Sequence, residues 1–580
     1  MRRKTLLLAV SLAVLMCLSI TTLPQAQEAG PAKEEAKRVG EAPREESKTA
    51  QDAPPRADRP LPTTGATQEP KAGGPPEPQV ARAYDEVIQL TLEDAVRMAL
   101  ENNLDLKVTY LDDDISKREL IVAKAVFDPF FNLGASFAKN RDPSASFLDV
   151  SQGQGVSVSP SETLTYSAGL SGKWLAGTTY EVRLAQLERD RPRVNPTFTL
   201  LNPVTTTEAF IAARQPLLKG AWFGVNSADI RIAENNSRFS REQVELSAMQ
   251  TVFEVEQSYW ALVFASQNLE AKIKAYQVTN ENLENVRIRK AVGTLAAIDV
   301  TTAESQAALR RVELEEALQL RETSRDRILQ LINYSKGRSL KEHWEAGSKL
   351  GTFERVMINC TTPPSSDELP ATRDVALSTA FQRRPEYRQL ELNVDNQQIR
   401  IEVAKNQMLP SLDLLGRWAQ LGLEDGFQKS YNEFDSGRYY DWEVGIEFSV
   451  PLTNRGPRAI YRNARDQLRK LTLNKNELEN LIVLEVDQAI RKIEFLRRKV
   501  VDLEERVRLQ EDLLRAEYRK VSVGMSIAYT VSVIENDLVE NQTQALRAKA
   551  DLQFAKAELL RAMGTLFDRF RITVDSPKSP

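Results

Sequence analysis

The 580-residue sequence predicts a mainly α-helical protein with a transmembrane β-barrel portion, built from a duplicated unit of helix, strands and long helical hairpin. Three observations carry this. Two stretches of about a hundred residues keep helical apolar spacing with a single glycine-centred break in each. The segments that precede them alternate apolar and other residues, the period of a strand. And the whole order of features occurs twice.

Taken in order, residues 1–26 form a secretory signal: Arg2, Arg3 and Lys4, then an apolar core from Leu6 to Leu18, then small residues. The signal holds three basic and no acidic residues, so its removal shifts the formal net charge from −4 to −7. That balance, with no clustered basic face, argues against a nucleic-acid partner. Cys17 leaves with the signal, so Cys360 has no partner for an intramolecular disulfide. Residues 27–82 are rich in Pro, Glu, Lys, Gly and Ala and nearly devoid of large apolar residues, the composition of a disordered linker.

The first repeat covers 83–333. Thr91 is positioned as a helix cap with Asp94 three residues on, and one helix is expected to about Val126, ended by Pro129. Strands are expected over about 130–215. Phe131, Leu133, Ala135 and Phe137 alternate, as do Leu164, Tyr166, Ala168 and Leu170, and then Tyr180, Val182 and Leu184; Gly177-Thr178 reads as a hairpin turn between the last two runs. A final strand runs from about Thr207 to Arg214. A helical hairpin fills about 222–333: Val252, Val255, Tyr259, Leu262 and Leu269 share one face, and Val292-Gly293-Thr294 interrupts it.

Residues 334–370 break the pattern with Gly, Pro and Ser and read as a small mixed insert on the outside of the helices; its single His343 has no ligand set around it. The second repeat covers 371–566, with strands over about 411–450 and a helical hairpin over about 458–562 turning at Val523-Gly524-Met525. A tail, 567–580, follows and is expected to join the insert. The duplication is visible directly: DAVRMALENNLDLKV (94–108) aligns with VALSTAFQRRPEYRQ (375–389) at a shift of 281, which also places Pro129 on Pro410. QPLLKG (215–220) echoes VPLTNRG (450–456), and the turn flanks RKAVGTLAAIDV and RKVSVGMSIAYTV resemble each other. Pro129, Pro216, Pro410 and Pro451 stand where helix must become strand, as proline ends a helix and has no amide to leave unpaired.

A strand hairpin is not stable alone in water. The runs are about nine to eleven residues, enough for a tilted strand to cross a bilayer. Trp418, Tyr439, Tyr440 and Trp442 sit near strand ends, as interfacial aromatics do. A secreted chain with few strands cannot close a barrel alone, so several chains must share one.

Together these motifs resemble the TolC family of outer-membrane efflux proteins: LTLEDAVRMALENNLDL (90–106), QPLLKG, RPEYRQLELNVDNQQIRIEVAKNQMLPSLDL (384–414), VPLTNRG and VGTLAAIDV (292–300), in order, over roughly 90–567. The resemblance implies a homotrimeric α/β barrel channel in outer-membrane lipid, each chain giving four strands, with the helices forming a tunnel across the periplasm. It implies docking of the tip on a periplasmic adaptor (membrane fusion) protein and an inner-membrane pump or ABC exporter. The tip would comprise Val292, Gly293, Thr294 and Leu295 with Val523, Gly524, Met525 and Ser526. The family often narrows this end with aspartates; here the matching positions hold Thr530 and Val533, with Glu535 nearby, and the first repeat alone keeps Asp299, which reads equally as a candidate constriction residue or as an ordinary helix cap just past the turn.

One departure is the length of the first strand region, about 87 residues against about 41 in the second. The hairpin near Gly177 is extra; it extends the barrel above the membrane or adds strands to it. There is no phosphate-binding loop, nucleophile–base pair or metal cluster, so no enzyme activity, cofactor or metal is expected. The expected role is a passive exit duct for efflux or type I secretion. A periplasmic coiled-coil adaptor or scaffold is the alternative, and it leaves the duplicated amphipathic strands without a purpose.

Overall fold

The computed structural model describes residues 86–144, 157–191, 200–334, 356–363, 372–523, 525–526 and 528–571. The signal, the linker, His343, Gly524 and residues 572–580 lie outside the described residues. The chain runs β1 (Glu86–Leu90), α1 (Leu92–Asn102), α2 (Leu104–Ala125), β2 (Phe130–Ser144), β3 (Ser157–Lys173), β4 (Thr179–Asp190), β5 (Val204–Pro216), α3 (Phe223–Asn226), α4 (Ala228–Ala291) and α5 (Ala297–Leu331). It continues through β6 (Val356–Cys360), α6 (Arg373–Arg383), α7 (Pro385–Asn406), β7 (Ser411–Glu424), α8 (Phe427–Ser436), β8 (Tyr439–Ser449), α9 (Arg455–Ser522), α10 (Ala528–Ala562) and α11 (Leu566–Phe570).

Thr91 does cap α1, its hydroxyl accepting the Asp94 amide at 3.1 Å. The single helix expected to Val126 is instead two. Asn103 leaves the helical region at ψ 129°, and its side-chain oxygen accepts the Leu106 amide at 3.0 Å, so it ends α1 and caps α2. The same break recurs 281 residues later. Arg384 takes ψ 122° because Pro385 follows and excludes the helical region.

Helices α4 and α9 are 64 and 68 residues long, or about 96 and 102 Å at 1.5 Å per residue. Each folds back through a short turn, α4 onto α5 and α9 onto α10, and α10 packs on α4 to join the two hairpins. Near the sheet the helices form a layer in the order α2, α4, α7, α9. The buried rows are continuous. Ile482, Val486, Ala489 and Ile493 of α9 pack with Leu552, Ala555 and Leu559 of α10 and with Ala376 and Ala380 of α6.

The first repeat has the larger core. Val252, Val255, Tyr259, Trp260 and Leu262 of α4 meet Leu92, Ala95, Val96 and Ala99 of α1, Ile328 and Leu329 of α5, and Leu566 and Phe567 of α11. The first described element is β1, which pairs in parallel with β6 of the insert. This two-stranded sheet is fastened to α4 by Tyr259, whose hydroxyl donates to the Leu90 carbonyl at 3.2 Å and accepts the Thr362 amide at 3.0 Å. Leu566 and Phe567 of α11 belong to this core; residues 335–355, 364–371 and 572–580, on which the expected meeting of tail and insert depends, lie outside the described residues.

The main sheet has six strands in the order β2-β3-β4-β5-β7-β8, every neighbouring pair antiparallel. Two expectations are corrected here. Among the described residues this sheet has six strands, where the resemblance implied four: β3 and β4 are inserted between β2 and β5, and they account for the extra length of the first strand region. β8 keeps to the expected length at 11 residues, but the other five strands are longer, from 12 in β4 to 17 in β3, and the last strand of the first repeat spans Val204–Pro216 rather than 207–214.

Candidate functional site

Register assigns each strand residue to a face, because successive side chains alternate. One face carries Phe131, Leu133 and Phe137 of β2 opposite Leu170, Ala168 and Leu164 of β3. It continues through Val182 and Leu184 of β4, Ile211 and Ala209 of β5, Leu414 and Trp418 of β7, and Ile446, Val444 and Trp442 of β8. Phe131, Leu133, Phe137, Trp442, Val444, Ile446 and Phe448 are all more than 60% exposed. An apolar face this wide left uncovered in one chain marks an interaction with lipid or protein.

The opposite face is polar. It carries Ser167 and Thr165 of β3, Glu181 and Arg183 of β4, Glu208 and Arg214 of β5, Asp413 and Arg417 of β7, and Asp441, Glu443 and Glu447 of β8. Arg214 bridges Asp413 at 2.5 Å and Glu447 at 3.1 Å, tying three strands at the helix end of the sheet. Arg417 pairs with Glu208 and lies 5.1 Å above the Phe210 ring. Two hollows open on this face, one lined by Glu181, Arg214, Arg417 and Glu443, the other by Arg183, Arg189 and Glu208. The sheet is therefore concave on its polar side.

Of the four prolines, Pro129 follows α2, Pro216 closes β5, Pro410 separates α7 from β7, and Pro451 follows β8. Asparagines absent from the sequence-based reading fasten these junctions together. Asn406, buried at the end of α7, accepts the Gly220 amide at 2.7 Å and donates to the Leu218 carbonyl at 3.1 Å. Asn454 donates to the Met408 carbonyl at 2.8 Å from a left-handed backbone, φ 45°.

At the far end, Gly293 adopts φ +82°. Its amide donates to the Lys290 carbonyl and the Thr294 amide to the Arg289 carbonyl, both at 2.9 Å, the paired bonds of a glycine-ended helix. The second turn repeats the longer bond, from the Met525 amide to the Lys520 carbonyl at 2.9 Å, around Gly524, which lies outside the described residues. Both turns present apolar side chains to solvent: Val292 (74% exposed) and Ile298 in the first, Val523 and Met525 (78%) in the second. Leu295 is half-buried beneath the first. Ser526 donates to Glu517, which also pairs with Lys520 at 3.0 Å. These bonds, the Ser526 bond foremost, hold the Glu517 carboxyl below the ordinary carboxylate range.

The candidate constriction residues do not form a set of free charges. The Asp299 carboxylate accepts the Ala296 amide at 3.0 Å, capping α5. Thr530 is half-buried and Val533 exposed. Glu535 accepts the Tyr518 hydroxyl across the α9–α10 hairpin. Burial, then this carboxylate, pushes the Tyr518 hydroxyl's pKa up. At the equivalent place in the first hairpin, Arg287 pairs with Glu304 at 2.9 Å. Above the turns, Arg310 donates to Asn536 and the Thr543 hydroxyl to Asn268 at 3.2 Å, joining the hairpins to each other.

A family model described as outer membrane efflux protein matches residues 376–565. No curated relative matches the sequence. The fold is similar to that of solved structures at low identity. The transmembrane channel protein CusC is 14% identical, with a TM-score of 0.60 over 82% of this chain and 92% of that one. A membrane protein from Pseudomonas aeruginosa is 18% identical, with a TM-score of 0.60 over 85% of this chain and 96% of that one. The outer membrane channel CmeC of Campylobacter jejuni is 14% identical, with a TM-score of 0.60 over 82% of this chain and 86% of that one.

Proposed function

We infer that this chain, a member of the outer membrane efflux protein family by its second repeat, is a TolC-type exit duct of the cell outer membrane that extends into the periplasm. The observation that carries the reading is a curved sheet with one apolar and one polar face, rising directly from helical hairpins about 100 Å long. In a barrel wall the apolar face meets lipid and the polar face lines water. Along the strands the apolar runs extend about 20–27 Å at 3.4 Å per residue, the height of such a band. A soluble coiled-coil adaptor or scaffold has no use for this face.

Six strands from one chain end in two unpaired edges, β2 and β8. Open edges are not tolerated in hydrocarbon, and the edges differ, so closure is head to tail around a symmetry axis. The helix layer supports the same closure. Its edge helix α2 exposes Leu104, Val108, Leu111, Ile115 and Val122 at coiled-coil spacing, and the other edge helix, α9, exposes Leu473, Leu481, Leu484 and Phe495 opposite its buried row. Three copies, as the family resemblance implies, complete the tunnel.

The tip formed by Val292, Gly293, Thr294, Leu295, Val523, Gly524, Met525 and Ser526 docks a periplasmic adaptor, which couples the duct to an inner-membrane pump or ABC exporter. Its exposed apolar residues support this role. Transport through the duct is passive, with specificity and energy coming from the inner-membrane partner. Purified protein reconstituted in a planar bilayer is expected to conduct ions. A silent, freely water-soluble protein would contradict the reading.

A further inference from the structure

The β3–β4 hairpin has no counterpart in the second repeat. Resting on the duct reading above, we propose that it widens the transmembrane pore, so that the trimer closes an eighteen-stranded barrel rather than a twelve-stranded one, with a bore suited to bulky hydrated solutes.

Four observations place the hairpin inside the wall. First, it is paired along its full length on both sides. β3 pairs with β2 from Ser171 to Ser157, and β4 pairs with β5 from Thr179 to Arg189. Second, its faces are in phase with the rest: Leu164, Tyr166, Ala168, Leu170, Val182 and Leu184 continue the apolar face without a slip. Third, its turn is fastened at the helix junction. Thr178 is buried and donates to Gln215, and a side chain at Gly177 (φ +93°) would come within 2.5 Å of the Gly220 carbonyl. Fourth, the apolar face of its base is finished as a membrane boundary. Tyr180 lies over Gly172 and packs on the exposed Trp174 with ring centroids 5.1 Å apart, an aromatic covering a strand glycine at the interfacial level.

The polar row of β3 is Ser161, Thr163, Thr165, Ser167, Gly169 and Ser171. These small residues leave the lumen open along β3, while β4 adds Glu181 and Arg183 to its charged lining. With strands about 4.8 Å apart and tilted about 40°, twelve strands span a circumference of about 75 Å and eighteen about 113 Å, or backbone diameters of about 24 and 36 Å. Four helices per chain reach the sheet (α2, α4, α7 and α9). Twelve helices at about 9–10 Å spacing need roughly 110–120 Å. Eighteen strands therefore match the helical tunnel, whereas twelve would narrow it.

Electron cryomicroscopy of the purified, lipid-embedded protein tests this by counting strands. The expected result is eighteen strands and a backbone diameter near 36 Å. A variant with residues 145–203 replaced by a short Gly-Ser turn joining β2 to β5 should shrink to twelve strands, with about half the cross-section. A twelve-stranded wild-type barrel with β3–β4 outside the wall would overturn the proposal while leaving the duct reading intact. A particle with no closed barrel would overturn both.

Discussion

Glu517 shows how single residues set the state of the tip. Its carboxyl is held low by Ser526 and then Lys520. A depressed carboxylate contributes stability above the ordinary glutamate value and loses it as pH falls through the depressed one. The second turn should therefore loosen on acidification below about pH 4, the ordinary glutamate range. Hydrogen exchange of residues 518–530, compared at each pH with Glu517→Gln, checks this. The wild type is expected to exchange more slowly at neutral pH and to converge with the variant in acid. Gly293 makes a different demand. Nothing lies within 4 Å of where its side chain would be, so Gly293→Val acts through φ alone, at a cost of about 1–3 kcal/mol. The expected outcome is loss of adaptor binding in a pull-down with an intact trimer. At the other end, Asn406→Leu leaves the Gly220 amide and the Leu218 carbonyl unpaired and should cost about 1–3 kcal/mol in thermal unfolding. The tip glycine and junction prolines were legible in the sequence because their roles are local. Asn406 was not, because its partners lie 186 and 188 residues away. Asp299 was legible both as a constriction acid and as a helix cap just past the turn; in the structure its carboxylate caps α5.

Among the elements, the long hairpins were read correctly because apolar spacing over tens of residues admits no other fold, and the duplication repeats the message. The break at Asn103 was missed because helical periodicity continues through it; its equivalent at Arg384 carries the proline that makes the same break visible. The extra strands were visible as alternation around Gly177-Thr178, but alternation cannot say which strands pair, and the four-strand expectation came from resemblance rather than from residues. The exposed stripe on α2 yields a prediction at this scale. Leu111→Glu with Ile115→Glu places charge on a face that makes no core contact within the chain. Circular dichroism should remain helical while light scattering reports loss of the trimer; a trimer unchanged by both charges would remove α2 from the subunit interface.

For the whole molecule, the account depends on a division of environments. In the proposed duct the face through Val444 and Ile446 lies in lipid and the face through Glu443 and Glu447 in water, although all four belong to one strand. The half-buried Cys360 is the free cysteine among the described residues, and replacing it with serine clears the background. Single cysteines at 443, 444, 446 and 447 can then be challenged in intact membranes with a thiol reagent that does not enter lipid. The account predicts labelling at 443 and 447 and protection at 444 and 446; equal labelling at all four would contradict it.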